Sequence, residues 1–436
     1  MNNINALRSV KSRVSVTPRR WLETLRFQLG ATVVLAVLLP AAISQLINDN
    51  DFIALPSDRN AFLGTLVASF GGIYLFRRVI AFPGIRAFSY VFPAFGITYA
   101  IVLTIFFFGR LEYSRLYYAT SYLICSAIFF VICTISQRSR LRLYTVPGGD
   151  IGLILQIPGI ECHPLRVPII PNDPVKPAIV VDLRADLDAE WQRFIAEAAI
   201  AGCAVYHVKQ VRESLTGQVE IEHLSENSFG SLLPNLAYRK IKRLIDVLAA
   251  LIALPLLALP MTIAAIFVKI GSPGPIFFRQ QRMGYRGRPF SVFKFRTMHD
   301  QAHTPFVDDR RAAAMTLEGD VRVTSIGRAL RRWRIDELPQ ILNVLRGEMS
   351  WIGPRPEALE LSRWYESEIP FYVYRHIIRP GITGWAQVNQ GHVAELTEVH
   401  QKLHYDFYYV KNFSGWLDWL IVFRTLGIVL NGFGAR

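Results

Sequence analysis

Two adjacent carboxylates, Asp336 and Glu337, follow directly on the basic run Arg331-Arg332-Trp333-Arg334. Nearby positive charge favours the ionised form of an acid, so this spacing predicts two carboxylates held as anions. An ionised carboxylate can attack as a nucleophile or ligate a metal ion. Arginine forks beside it can hold phosphate oxygens in pairs. These residue types together suit chemistry on a phosphorylated, anionic substrate. Taken alone, the pattern also fits a salt-bridge network at a helix start.

Other basic residues stand where they could join such a site. Arg355 sits between Pro354 and Pro356, where the backbone is rigid. Lys294 and Arg296 alternate with Phe293 and Phe295, which puts both charges on one face of an extended segment. That face suits lipid phosphate, substrate or solvent. Arg279, Arg282, Arg286 and Arg288 form a further basic group, suited to lipid head groups first and substrate second. Pro380, Gly381 and Gly384 mark a tight turn ahead of Gln387 and Asn389, which could meet a nucleotide or sugar or serve the structure alone. His392, His400 and His404 are scattered and make no metal box. The cysteines Cys125, Cys133, Cys162 and Cys203 show no CxxC spacing, so neither a zinc site nor a disulfide framework is indicated.

The elements that must position these groups include membrane helices. Hydrophobic residues make up 51% of the 436-residue chain. Four apolar runs, Phe27 to Ile47, Ala61 to Phe76, Phe88 to Phe108 and Leu116 to Ile135, suit a hydrocarbon core of about 30 Å. The second is short and needs its flanking residues. Arg8, Lys11, Arg13, Arg19, Arg20 and Arg26 precede the first run, and Arg138, Arg140 and Arg142 follow the fourth. The first loop carries Asp49, Asp51, Asp58 and Arg59, the second Arg77, Arg78 and Arg86. By the excess of Lys and Arg on the cytoplasmic side, the chain starts inside and returns inside after four spans.

A fifth apolar run, 244–270, has basic residues on both sides and contains Pro255 and Pro260. Both flanks read as cytoplasmic, and proline kinks a helix. The expected path is a re-entrant helix that bends near Pro260 and returns to the face it left.

Charge divides the chain into three. The net is +10 over residues 1–144, −6 over 145–236 and +10 over 237–436, for +14 in all. The basic excess flanks apolar segments, which favours anionic head groups over nucleic acid as the partner. In the acidic middle, Ala178 to Asp182 and Cys203 to Val208 read as strands around a helix carrying Trp191, Phe194, Ile195 and Ala198 at helical spacing. This is a β-α-β unit of a doubly wound kind. Pro147-Gly148-Gly149-Asp150 is not a G-x-G-x-x-G motif, so phosphate binding there is unsupported, and a regulatory or dimerising role is expected.

Four ordered blocks carry a resemblance. They are Ser272 to Gln280 (SPGPIFFRQ), Phe293 to Met298 (FKFRTM), Arg331 to Pro356 (RRWRIDELPQILNVLRGEMSWIGPRP) and Arg379 to Asn389 (RPGITGWAQVN). The chain resembles the bacterial sugar transferases, the polyprenyl-phosphate hexose-1-phosphate transferases, closely from Tyr238 onward and more loosely throughout as a large multi-pass member. The fold implied is a multi-pass α-helical membrane protein with a cytosolic α/β (Rossmann-like) middle domain. A membrane-associated, mainly α catalytic domain with the re-entrant helix completes it. The domains expected are 1–144, 145–236 and 237–436.

The resemblance implies transfer of a sugar-1-phosphate from a UDP-sugar to undecaprenyl phosphate, with release of the nucleoside monophosphate, as the initiating step of exopolysaccharide, capsule or O-antigen synthesis. Asp336 would be the nucleophile, forming an aspartyl-phosphosugar. Glu337, with Asp336, would hold Mg²⁺. Arg331, Arg355, Lys294, Arg296 and Arg379 would bind substrate phosphate. The site would face the cytosol at the bacterial inner membrane, in a chain able to form a homodimer. Related chains usually carry Ser-Pro at the helix bend; here Leu259 precedes Pro260. The alternative reading is a non-catalytic membrane sensor or scaffold.

Overall fold

The computed structural model describes residues 21–48, 55–80, 90–136, 141–157, 160–171, 177–221, 234, 236–299, 322–390 and 396–431. Arg8, Lys11, Arg13, Arg19, Arg20, Asp49, Asp51, Arg86, Arg138, Arg140 and His392 lie outside them, as does the side chain of Arg142. The chain forms two compact units, Met1–Gly217 and Gln218–Arg436.

In the first unit the apolar runs become helices α1 (Leu25–Gln45), α2 (Pro56–Ile80), α3 (Val91–Phe108) and α4 (Arg115–Ile135), each long and apolar enough to cross a membrane. The short second run gains flanking residues and reaches 25 in all. Glycines set the approach of α2 to α3. A Cβ on Gly64 would lie 2.3 Å from the Phe106 ring, and one on Gly72 would lie 2.2 Å from Phe95. Small residues of this kind let helix backbones close on one another where no water drives association. Several buried hydroxyls are paired internally. Tyr99 shares a 2.9 Å hydrogen bond with Ser121, Tyr118 donates to the Tyr99 carbonyl at 2.7 Å, and Tyr117 donates to the Val37 carbonyl at 2.9 Å. Lipid offers no partner for such groups, so the bundle must supply them.

The same unit carries four parallel strands, β1 (Leu141–Thr145), β2 (Ile160–Pro164), β3 (Ala178–Val181) and β4 (Ala204–His207), in the order β2-β1-β3-β4. Around them run α5 (Gly152–Leu155), α6 (Ala189–Ile200) and α7 (Val208–Thr216). Alternation along β3 sends Ile179 and Val181 to Phe194 and Ala198 of α6, and Val180 to the opposite side with Val208 and Val211 of α7. Both faces are therefore covered, as a parallel sheet requires.

The second unit opens with α8 (Leu236–Gly271), one continuous helix through Pro255 and Pro260. At 36 residues it is about 54 Å long, well beyond a bilayer core. It also meets the length and composition of a spanning helix. Strands β5 (Phe277–Met283) and β6 (Pro289–Phe295) form an antiparallel hairpin beside it. Ala250 of α8 packs with Phe290 and Val292, and Ala264 and Val268 with Phe295, so both halves of the helix rest on β6. Its other side leaves Ile252, Leu256 and Leu259 exposed. Further elements are α9 (Ser325–Arg332), a 3₁₀ turn (Ile335–Gln340), α10 (Ile341–Arg346), β7 (Ser350–Ile352), α11 (Leu359–Glu368), β8 (Gly381–Thr383), α12 (Trp385–Asn389), α13 (Leu396–Lys411) and α14 (Gly415–Asn431). Strand β8 pairs with β7 in parallel. Helix α14 buries Leu417, Leu420 and Ile421 and exposes Trp419. With its apolar helices, mostly helical content and one small parallel sheet, the chain is a membrane protein.

Candidate active site

Helix α9 ends just ahead of the acidic pair. Thr324 caps its start by accepting from the Gly327 amide at 2.8 Å. Arg334 then takes a left-handed backbone (φ 55°), uncommon for a residue with a Cβ, and this breaks the helix into the 3₁₀ turn. The turn swings both carboxylates inward, leaving Asp336 8% and Glu337 7% exposed. Asn343 of α10 locks the turn to β6. Its side chain accepts from the Phe293 amide at 3.1 Å and donates to the Ser291 carbonyl at 2.7 Å. Lys294 on β6 is thereby set opposite Glu337.

Glu337 gathers the cations. One of its oxygens, Oε1, lies 3.0 Å from Lys294 Nζ, 2.9 Å from Arg355 Nη2 and 4.0 Å from Arg334 Nη1. Burial alone would raise its pKa, but Arg355 and Lys294 outweigh that and hold it well below the usual carboxylate range. Glu337 in turn raises Arg355 against the effect of burial. Lys294 is brought down to about 8, chiefly by burial, while Glu337 pulls the other way.

Asp336 differs. Burial and the neighbouring Glu337 charge push its pKa up, and Lys294, Arg331 and Arg334 offset this only in part. Its buried Oδ1 has no hydrogen-bond partner. The basic residues therefore act unequally on the two acids, holding Glu337 low and offsetting the rise at Asp336 only in part. Adjacent residues on a tight helical turn point in different directions, and the cations converge on Glu337. Two neighbouring carboxyls pushed apart in pKa are equipped for different roles.

The structure brings Asp336, Glu337, Lys294 and Arg355 together, with Arg331 beside them. Arg331 donates to Thr297 Oγ1 at 3.0 Å, and its charge acts on Asp336. Arg296 does not join them. It is 6% exposed and turned toward the C-terminal end of α8, where Nη2 donates to the Ser272 carbonyl at 2.6 Å and to Ser272 Oγ at 2.8 Å. A cation suits the negative end of a helix, which draws Arg296 away from Lys294. Arg379 also stands elsewhere. Its Nε donates to the Gly347 carbonyl at 2.9 Å, and its guanidinium lies over the Tyr285 ring. Pro260 is on the exposed side of α8. Gln387 and Asn389 are spent on local bonds to the carbonyls of Ile382 and Trp385. His400 and His404 lie ring against ring on α13.

A second layer could not be read from the sequence. Arg375, 3% exposed, donates from Nε and Nη2 to Asp406 Oδ2 at 3.0 and 2.8 Å. Its Nη2 also reaches the Arg355 carbonyl at 2.9 Å. Arg282 donates to the Pro356 carbonyl, and Lys402 pairs with Glu357. The Gly353–Pro356 segment is therefore clamped from two sides. A Cβ on Gly353 would lie 2.3 Å from the Arg379 carbonyl, so glycine is needed for that close approach. These partners come from segments far apart in sequence, and no local spacing announces them.

The site also bears on a divalent cation. Among the described residues no three His, Cys, Asp or Glu side chains gather as a ready cage. Magnesium in phosphate sites commonly takes one or two carboxylates and completes its shell with substrate oxygens and water. Asp336, with its unpartnered buried oxygen, and Glu337 supply that number.

Comparison with known proteins gives the family. A family model described as bacterial sugar transferase matches residues 237–432. The UDP-N-acetylgalactosamine-undecaprenyl-phosphate N-acetylgalactosaminephosphotransferase of Aeromonas hydrophila is 41% identical over 426 residues, covering 96% of this chain and 98% of the relative. The chain belongs to the bacterial sugar transferase family. Two further relatives match over less than half of this chain. The UDP-glucose:undecaprenyl-phosphate glucose-1-phosphate transferase of Caulobacter vibrioides is 43% identical over 203 residues, 46% of this chain and 74% of its own. The Escherichia coli protein of the same name is 40% identical over 190 residues, 43% of this chain and 40% of its own.

Proposed function

We propose that this enzyme transfers a sugar-1-phosphate from a UDP-sugar to undecaprenyl phosphate and releases UMP, with Asp336 as the nucleophile. The observation that carries the reading is the division of labour in the acidic pair: Glu337 is neutralised by Lys294 and Arg355, while Asp336 keeps a buried, unpartnered oxygen. The names of the relatives support the substrates. The full-length match to an N-acetylgalactosamine-phosphate transferase makes UDP-N-acetylgalactosamine the first donor to test.

An oxygen of Asp336 attacks the sugar-bearing phosphorus. The bond from that phosphorus to the bridging oxygen breaks, and UMP leaves with the electron pair. The aspartyl-phosphosugar is then attacked at the same phosphorus by an oxygen of undecaprenyl phosphate. The acyl-phosphate P–O bond breaks and the carboxylate is restored. The pKa of Asp336 is raised by burial and by Glu337, so its oxygen is more basic and a better nucleophile than an ordinary aspartate. Lys294, Arg331 and Arg355 offset the charge of the diphosphate and orient it for in-line attack. Mg²⁺, held by Glu337 with Asp336, would supply further neutralisation of phosphate charge.

The same reading covers the architecture. Residues 1–144 anchor the chain in the bacterial inner membrane, the 145–236 domain is a Rossmann-like regulatory or dimerising module, and 237–436 is catalytic. Helix α8 re-enters near Pro260 and returns, so the site stays on the cytosolic face where nucleotide sugars are made. Basic flanks on both sides, and the packing of both halves of α8 on β6, support that path. The product would begin an exopolysaccharide, capsule or O-antigen chain. The test is UMP release from a panel of UDP-sugars with undecaprenyl phosphate, with and without chelator. The reading expects release from one donor, abolished by EDTA and restored by Mg²⁺. Failure of every donor would overturn the transfer itself, and release unaffected by EDTA would remove the metal.

A further inference from the structure

Arg355 follows closely on β7, a strand of 3 residues whose one strand neighbour is β8. A two-stranded ribbon is marginal by itself, so the place of β7 must be set from elsewhere. Toward β8 the fit is by backbone contact. A Cβ on Gly381 would lie 2.1 Å from the Gly353 amide nitrogen, and one on Gly384 would lie 2.1 Å from the Gly353 carbonyl oxygen. Other main-chain groups of β7 are met by side chains. Asp246 Oδ1, on α8, accepts from the Trp351 amide at 3.3 Å, and the Trp351 indole donates to the Asp246 carbonyl at 3.1 Å. The Tyr409 hydroxyl, on α13, stands 3.2 Å from the Ile352 carbonyl oxygen.

One buried carboxylate ties these two supports together. Asp418 Oδ1, on α14, accepts from the Tyr409 hydroxyl at 2.6 Å. Its Oδ2 accepts from Lys242 Nζ at 2.8 Å and from the Tyr238 hydroxyl. Lys242 in turn lies 3.9 Å from Asp246 Oδ1. Tyr409 has one proton for two acceptors, so Asp418 fixes where its hydroxyl stands against Ile352. Tyr409, Asp246, Lys242 and Asp418 are all buried. Burying charges is costly, and apolar side chains could fill the same space at less cost. Apolar side chains could not bond the main chain of β7.

We propose that Asp246 and Tyr409 are positioning residues of the transfer reaction, acting through β7 on Arg355. The inference rests on the reading of Arg355 as a ligand of substrate phosphate. Pro354 and Pro356 stiffen the segment that follows β7, so a displacement of the strand is passed on to Arg355. There Nη2 meets Glu337 Oε1 at 2.9 Å. Arg375 steadies the Arg355 carbonyl, while Asp246 and Tyr409 steady the strand that delivers it. A substrate-binding group misplaced by about 1 Å can cost on the order of 100-fold in rate.

The experiment is a double-variant cycle on the full chain in nanodiscs. UMP release at saturating UDP-sugar is read in single turnovers, so that slow variants stay measurable. Asp246→Ala removes the acceptor of the Trp351 amide and should slow release about tenfold. Tyr409→Phe removes one oxygen and should slow it about threefold. Asp246→Asn keeps an acceptor for the amide and should recover most of the rate. In the Arg355→Lys background the group being positioned is already altered, so neither change should slow release further. Should Asp246→Ala fail to fold, Tyr409→Phe carries the cycle. Losses that multiply with Arg355→Lys, or folded variants as fast as wild type, would overturn the proposal and leave the transfer reading standing. Absence of UMP release from wild type would overturn both.

Discussion

The helix bundle of the first unit and the acidic pair of the second handle buried polarity in opposite ways. In the bundle the buried polar groups are neutral, and shape sets the fit. Gly64 and Gly72 admit the rings of Phe106 and Phe95, while Tyr99, Ser121, Tyr117 and Tyr118 pair their hydroxyls at short range. In the second unit whole charges are buried: Glu337 with Lys294 and Arg355, Arg375 with Asp406, Lys242 with Asp418. A buried ion pair costs desolvation that packing alone would avoid, so it is weak evidence for stability. Where such pairs cluster at a cleft they are better explained by what they bind.

That contrast can be broken at several points. The largest effect is expected for Glu337→Gln, which leaves Lys294 and Arg355 buried without their counter-ion. Removing one partner of a buried pair costs about 3–5 kcal/mol. UMP release should fall to background and the melting temperature should drop; a variant with normal activity would show that Glu337 is only structural. Next comes Arg375→Lys, which retains the charge facing Asp406 but cannot span both Asp406 and the Arg355 carbonyl. Activity should fall about tenfold, with the loss in kcat as much as in KM, since misplacing a substrate-binding group slows the reaction itself. A change confined to thermal stability would remove Arg375 from the positioning of Arg355.

In the bundle the expected effects are smaller and purely structural. Gly72→Val places atoms against the Phe95 ring and should cost about 1–3 kcal/mol by overpacking, measured by thermal unfolding in detergent. No change would mean that α2 and α3 separate freely. Tyr99→Phe deletes the hydroxyl paired with Ser121 and should cost about 1 kcal/mol. A loss several times greater would show that this hydrogen bond, and not packing, holds α3 to α4.

Much of this was legible in the sequence where the signal is local. Hydropathy located the four helices of the bundle, because a bilayer imposes one length and one composition on each. The strands at Ala178 and Ala204 showed through their β-branched and apolar runs on either side of an amphipathic helix. Asp336 and Glu337 were visible because the basic run adjoins them. What stayed hidden depends on contacts between distant segments. Nothing near Arg375 announces Asp406, thirty-one residues away. Strand alternation put Lys294 and Arg296 on one face, yet the end of α8 captures Arg296. The resemblance already implied different roles for the two acids, but the convergence of Lys294 and Arg355 on a single Glu337 oxygen was not visible in the sequence.

The central claim is that Asp336 carries the sugar-phosphate between donor and acceptor. It is tested most directly by single-turnover labelling with the active UDP-sugar, ³²P in its sugar-bearing phosphate, in the absence of undecaprenyl phosphate. The account predicts UMP release matched by protein-bound label on Asp336, discharged when undecaprenyl phosphate is added, and no label on the Asp336→Asn variant. Label on that variant, or UMP released only when the acceptor is present and with no label on the protein, would contradict it.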